Sequence, residues 1–265
     1  MKPRFPMIRP DYKPSIVSYE LRRAEFDMHN EVLLAHKVPV DIVFLGDSIT
    51  HYWELQTYFG NGGLKIVNRG IGGDTTQHGL HRFQADVVQL KPRYAVIMIG
   101  CNNSLPVDEM PAIPNSIDNI AAMDRRNDSN DNSLDNVLND IRISAEDRLK
   151  LTQIKEDIVA DTRTMISIVQ QNGIRPFLGS LLPSGTERFG YEIRNRLFVQ
   201  VNEELKQLAV DNGIDYINYH AAMCEADGRT LRSDLAYDGV HPNVDGYNLM
   251  AEIIRNVLSS SEVKI

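Results

Sequence analysis

Five short, continuous apolar runs, each separated from the next by a long helical pattern or a glycine-rich turn, constrain this chain more than any other feature. They are Asp41 to Leu45, Lys65 to Asn68, Tyr94 to Ile99, Arg175 to Leu181 and Asp215 to Tyr219. Continuous rather than alternating apolar runs predict strands covered on both faces, which is the environment of a parallel sheet. Helical patterns cover Tyr19 to His36, Thr75 to Leu90, Ser144 to Gln171, Arg188 to Asn212 and Asn243 to Ser259, with Gly173 and Gly213 as stops. The alternation predicts a three-layer α/β/α architecture built on a five-stranded parallel sheet. We expect one domain over 1–265, with an N-terminal helical arm over 1–38. A polar insertion over 106–143 interrupts the pattern with Asp, Asn, Ser and Pro, and short apolar repeats inside it predict a cap or an interface element.

Composition narrows the function classes. The chain has 265 residues, is 42% hydrophobic and carries a net charge of −8. That balance disfavours nucleic acid and anionic membrane surfaces, which require a basic face. No apolar run is long enough to insert in a membrane. The N-terminal Met-Lys-Pro-Arg-Phe-Pro lacks the apolar core of a secretory signal. Two lone cysteines, Cys101 and Cys224, suit a reducing compartment. A cytoplasmic location is therefore expected.

In an open α/β sheet, ligands bind beyond the carboxyl ends of the strands. The residues following the runs are Gly46-Asp47-Ser48-Ile49-Thr50, Arg69-Gly70-Ile71-Gly72-Gly73-Asp74-Thr75, Gly100-Cys101-Asn102-Asn103 and Asp238-Gly239-Val240-His241-Pro242. These supply the parts of acyl transfer. The Ser48 hydroxyl is a poor nucleophile without a base, and His241 can be that base. Asp238, three residues earlier, can hold the imidazole in the required tautomer. A glycine-rich loop presents bare N–H groups. With the Ser48 N–H and the Asn102 amide, these form an oxyanion hole.

These four blocks resemble those of the SGNH hydrolases, the GDSL-type esterase and lipase family. Gly46-Asp47-Ser48-Ile49 matches the first, with Ile where the family name has Leu. The second, Asn68 to Thr76, places the family's oxyanion glycine at Gly73. In the third, Cys101 stands where Thr is usual and Asn102 carries the role. Asp238 and His241 match the last. The second and third blocks look most like the platelet-activating-factor acetylhydrolase-like branch and its bacterial relatives. The resemblance implies a flavodoxin-like strand order 2-1-3-4-5. It also implies a catalytic Ser48, Asp238 and His241, with an oxyanion hole of Ser48, Gly73 and Asn102. No metal or organic cofactor is implied. The implied reaction is hydrolysis of short-chain acyl esters, most simply O-acetyl groups on a carbohydrate or similar small ester. A lipase, lysophospholipase or thioesterase, or a catalytically silent binding relative, stays open, as does a homo-oligomer.

Other residues carry two readings. Asp47, Trp53, Arg69 and Asn103 are candidates for contacting substrate, and Tyr52 stands with Trp53 as a wall of an acyl or sugar pocket. The competing readings are a turn for Asp47, core packing for Trp53, a salt bridge for Arg69 and loop orientation for Asn103. Asp74, His78 and His81 have spacing that a metal would accept, against a packing role. Cys101 has no adjacent base and reads as a packed small residue.

Overall fold

The computed structural model describes residues 19–110 and 143–263. Five parallel strands form one sheet in the order β2-β1-β3-β4-β5. They are β1 (Ile42–Gly46), β2 (Ile66–Gly70), β3 (Tyr94–Met98), β4 (Arg175–Gly179) and β5 (Asp215–Ile217). Helix α1 spans Tyr19–Ala35. After β1 come α2 (Ser48–His51) and α3 (Leu55–Phe59). After β2 come α4 (Thr76–His81) and α5 (Phe83–Asp86). A 3₁₀ helix, Cys101–Glu109, follows β3. The later helices are α6 (Ala145–Gln171), α7 (Tyr191–Asp211), α8 (Tyr219–Met223) and α9 (Val244–Ser260).

The pleat divides each strand between two cores. Val43, Leu45, Ala95 and Ile97 face one side, where they meet Phe83 of α5, Ile158 and Met165 of α6, and Leu197 and Val201 of α7. Ile42, Phe44, Val96 and Met98 face the other, where they meet Trp53, Phe59 of α3, and Met250 and Ile254 of α9. Both faces are thus covered by helices, which is why the strands read as unbroken apolar runs.

The expected strands and helices form near their expected places, but β4 ends at Gly179 and β5 at Ile217, short of the expected Leu181 and Tyr219, and Tyr219 opens α8 instead. Two further differences are informative. Thr75 to Leu90 is not one helix. The chain turns at Arg82 (φ −96°, ψ 1°), and α5 and a 3₁₀ turn, Val88–Leu90, follow. The helix expected from Arg188 begins at Tyr191 instead, because Gly190 adopts a left-handed conformation at φ +67°. The side chains of Ser144 and Asn243 cap α6 and α9 by accepting hydrogen bonds from backbone N–H groups.

The first residues of the stretch expected as a polar insertion are structured. Pro106 to Glu109 belong to the 3₁₀ helix, and Val107 and Met110 are buried in the core beside α6. The rest of that stretch and the first part of the arm lie outside the described residues. No helix among the described residues is long and apolar enough to cross a membrane.

Candidate active site

Four strand-end loops converge at the carboxyl edge of the sheet. The first turns from β1 into α2 through Gly46. A Cβ there would sit 2.0 Å from Thr50 Oγ1 and 2.6 Å from the Met98 carbonyl oxygen, so only glycine lets α2 start against the sheet. Asp47 caps α2, its Oδ1 accepting a hydrogen bond from the Ile49 N–H at 3.0 Å. Ser48 is the first helical residue. Burial pushes the Asp47 carboxyl up to about 6.

The last loop brings His241 to this serine, with Nε2 2.9 Å from Ser48 Oγ. On the other side of the ring, Nδ1 lies 2.7 Å from Asp238 Oδ2. Asp238 Oδ1 accepts from the backbone N–H groups of Val240 and His241, at 3.0 and 2.8 Å. The three-residue spacing thus lets one carboxylate oxygen close its own turn while the other reaches the imidazole. Partial burial raises the Asp238 carboxyl, but the hydrogen bonds from the ring and from the two N–H groups outweigh it and leave it below the ordinary carboxylate range. An ionised carboxylate can only accept, so Nδ1 donates to Asp238, and with that tautomer Nε2 faces the serine hydroxyl as the acceptor. The Tyr52 ring meets the imidazole edge to face at 5.4 Å.

The second and third loops bring Gly73 and Asn102 to the same cavity as Ser48. Gly73 has φ +85°, a conformation side-chain-bearing residues rarely adopt. Asn102 Nδ2 donates one hydrogen to the Asp74 carbonyl at 2.9 Å. Asn103 faces away. Its Oδ1 accepts from the Thr76 N–H and its Nδ2 donates to Thr76 Oγ1, at 3.0 and 2.9 Å.

These loops line a cavity of about 460 Å³. Ser48, Gly73, Asn102, Asp238 and His241 form one part of its wall, and Cys101 lies among them. Burial pushes the Cys101 thiol up to about 12, so it is a protonated thiol rather than a nucleophile. The outer wall comes from Leu105 and from Glu187, Arg188 and Phe189 after β4. Leu105, Phe189 and Tyr52 are each about half exposed. Gly185 N–H donates to the Gly239 carbonyl at 2.7 Å and stitches this rim to the His241 loop.

Four residues expected near substrate do not line the cavity. Trp53 is 2% exposed and packs among Phe44, Phe59, Tyr219 and Tyr247. Arg69 is 3% exposed beneath α1, where it donates to Asn30 Oδ1 and lies over the Phe26 ring. Asp47 is consumed by its helix cap, and Asn103 by Thr76. Tyr52, the neighbour of Trp53, does reach the cavity. Asp74 pairs with Arg82 at 2.6 Å, and His78 Nδ1 with the Thr75 hydroxyl. Among the described residues, no group of three His, Cys, Asp or Glu side chains is placed to hold a metal.

The rim residues after β4 were missed from sequence. They do leave the carboxyl end of a strand, the same positional signal as the other loops, but the segment carries no histidine and none of the four sequence blocks to mark it.

A family model described as the GDSL-like Lipase/Acylhydrolase family matches residues 44–249. An acetylxylan esterase from Geobacillus stearothermophilus is 23% identical over 200 residues, 74% of this chain and 73% of that protein. The platelet-activating factor acetylhydrolase IB subunit alpha2 of Homo sapiens is 35% identical over 80 residues, and an uncharacterized lipoprotein, YqeF, of Bacillus subtilis is 37% identical over 83. These matches cover 28% and 26% of this chain, and each spans about a third (34%) of the relative's length. Among solved structures, a GDSL-like lipase from Bacteroides thetaiotaomicron superposes with a TM-score of 0.60 at 21% identity, covering 89% of this chain and 99% of its own.

Proposed function

The chain belongs to the GDSL-like lipase/acylhydrolase family and is a carboxylic ester hydrolase, and from that premise we propose that Ser48, His241 and Asp238 form its catalytic triad. The observation that carries this reading is the continuous contact from Ser48 Oγ through the imidazole to Asp238, at 2.9 and 2.7 Å. Ser48 Oγ attacks the ester carbonyl carbon while His241 Nε2 takes its proton. The carbonyl oxygen becomes an oxyanion held by the N–H groups of Ser48 and Gly73 and by the second Asn102 N–H. As the tetrahedral intermediate collapses, the C–O bond to the alcohol breaks and His241 returns the proton to the leaving oxygen. Water then repeats the sequence on the acyl-serine, releasing the acid and restoring Ser48.

The substrate in this reading is a short-chain acyl ester, an O-acetyl group on a carbohydrate or a similar small ester. The modest cavity supports a short acyl group. Tyr52 and Phe189 give the rim flat apolar faces of the kind that pack on a sugar ring, with Arg188 and Glu187 beside them. The acetylxylan esterase relative supports the same class. We place the enzyme in the cytoplasm, a location supported by its two unpaired cysteines. Self-association belongs to the reading too. It is supported by Leu21, Met28 and Val32 exposed along α1, and sedimentation tests it.

A fluorophosphonate probe should label wild type and not Ser48→Ala. On p-nitrophenyl esters of increasing chain length, kcat/KM should be highest for acetate and fall steadily. An unlabelled wild type, or a preference for long chains, overturns the corresponding part of the proposal.

A further inference from the structure

Arg82 lies where the Thr75 to Leu90 pattern breaks, and it does not line the cavity. Its side chain is 7% exposed, yet it makes four hydrogen bonds that reach β1, β2, the loop after β2 and α5. Nε donates to Asp74 Oδ2 at 2.6 Å. Nη1 donates to the Arg69 carbonyl at 2.8 Å and to Asp86 Oδ2 at 3.0 Å. Nη2 donates to the Gly46 carbonyl at 3.0 Å. Gly46 ends β1, two residues before Ser48. Arg69 lies on β2, four residues before Gly73. Asp74 directly follows Gly73, and its own carbonyl accepts the Asn102 amide.

We propose that Arg82 is a positioning residue for the oxyanion hole: by gripping the Asp74 carboxylate, it fixes the Asp74 carbonyl that aims the Asn102 amide at the reacting oxygen. This rests on the triad and oxyanion-hole reading above and adds a residue that never touches substrate. The guanidinium suits the task because its donors lie in one rigid plane and point apart, so that one group spans the Gly46, Arg69 and Asp74 acceptors. A lysine ammonium keeps the charge but, as a compact point donor, reaches only part of that set. An oxyanion hole acts by preorganisation, so a displaced donor costs rate rather than substrate affinity.

Arg82→Lys tests the relay, with p-nitrophenyl acetate as substrate. Its kcat should fall by about 10- to 100-fold while KM stays within about threefold. In an Asn102→Ala background, the same Arg82→Lys change should cost less than about threefold, because the group it aims is gone. Asp74→Asn keeps the backbone carbonyl and the side-chain volume and removes only the charged grip. It should show the same kcat-only loss at smaller size, and it carries the test if Arg82→Lys does not fold. A folded variant with unchanged kcat, a loss confined to KM, or an undiminished loss in the Asn102→Ala background overturns the relay. Wild type that hydrolyses no ester overturns the functional reading itself. Active wild type with any of the three contrary results overturns this inference alone.

Discussion

Arg82 and Arg194 are both buried guanidinium groups that bind backbone carbonyls, yet they hold parts of the cavity that differ in exposure. Arg82 sits under the floor, and its partners belong to the loops of Ser48, Gly73 and Asp74. Arg194, at the start of α7, holds the rim. It donates to Ser104 Oγ at 2.9 Å, to the Phe189 carbonyl at 2.8 Å and to Asp108 Oδ1 at 2.6 Å. Asp108 also takes Arg188 at 2.6 Å. The floor around Asp47 and Arg82 is nearly closed to solvent, whereas Phe189 and Leu105 are 54% and 46% exposed above the Arg194 cluster. The two regions therefore have different tolerances. A change in the floor leaves buried polar groups unpaired or moves a donor, and it is felt in the chemical step. A change at the rim removes contact area that substrate and transition state share, and it is felt in binding.

The largest expected effect lies in the floor. Ser48→Ala should remove at least about 10⁴-fold of kcat with the fold intact, because members of such a triad act as a unit. Residual ester hydrolysis near the wild-type rate would take the floor out of the chemistry. Next in size, Asn102→Ala should lower kcat by about 10²–10³, roughly 3–4 kcal/mol, with little change in KM. A loss seen in KM alone would make Asn102 a rim residue in function.

In the floor, the buried Asp47 carboxyl also makes stability depend on pH. Burial pushes the folded carboxyl up to about 6 from an ordinary 3.8. The unfolded chain gives up this proton first, so as pH rises from about 4 to 6 the folded state binds more protons and loses stability. Over those roughly 2 pH units the folded state loses up to about 3 kcal/mol, at about 1.36 kcal/mol per unit. Asp47→Asn keeps an oxygen to cap α2 and removes that loss. Its stability relative to wild type, measured by urea unfolding, should therefore rise between pH 4 and 6.5. Parallel curves would show that burial does not penalise this charge.

The smallest effect belongs to the rim. Phe189→Ala should raise KM for an acetylated sugar severalfold, about 1 kcal/mol, and leave kcat unchanged. A fall in kcat would mean that the rim, through Arg194 and Ser104, also sets the Asn102 loop.

Much of this molecule was legible along the chain because its signals are local. Ile42 to Leu45 reads as a covered strand whatever surrounds it. Asp238 and His241 are close enough in sequence to form one turn, so their pairing is visible without a fold. Trp53 and Arg69 show the limit. Each stands next to a functional block, and each points into packing, Trp53 beneath α9 and Arg69 beneath α1. Strand pleat and helix phase decide direction, and adjacency in sequence does not report it.

Arg82 lies further beyond reach. In Gly79-Leu80-His81-Arg82-Phe83 it reads as one more charged residue on a helix. Its function exists only because β1 and β2 end side by side, with Gly46 opposite Gly70, and present their carbonyls to it together. By itself the sequence determined the layered α/β class, the parallel strands and the residues able to perform acyl transfer, since periodicity and short spacings act within a few residues. The tertiary structure alone decided which of their neighbours face the cavity and which buried charges hold it, because those depend on contacts between segments tens to hundreds of residues apart. Ser48 and His241 meet across 193 residues, and the sheet is what brings them together.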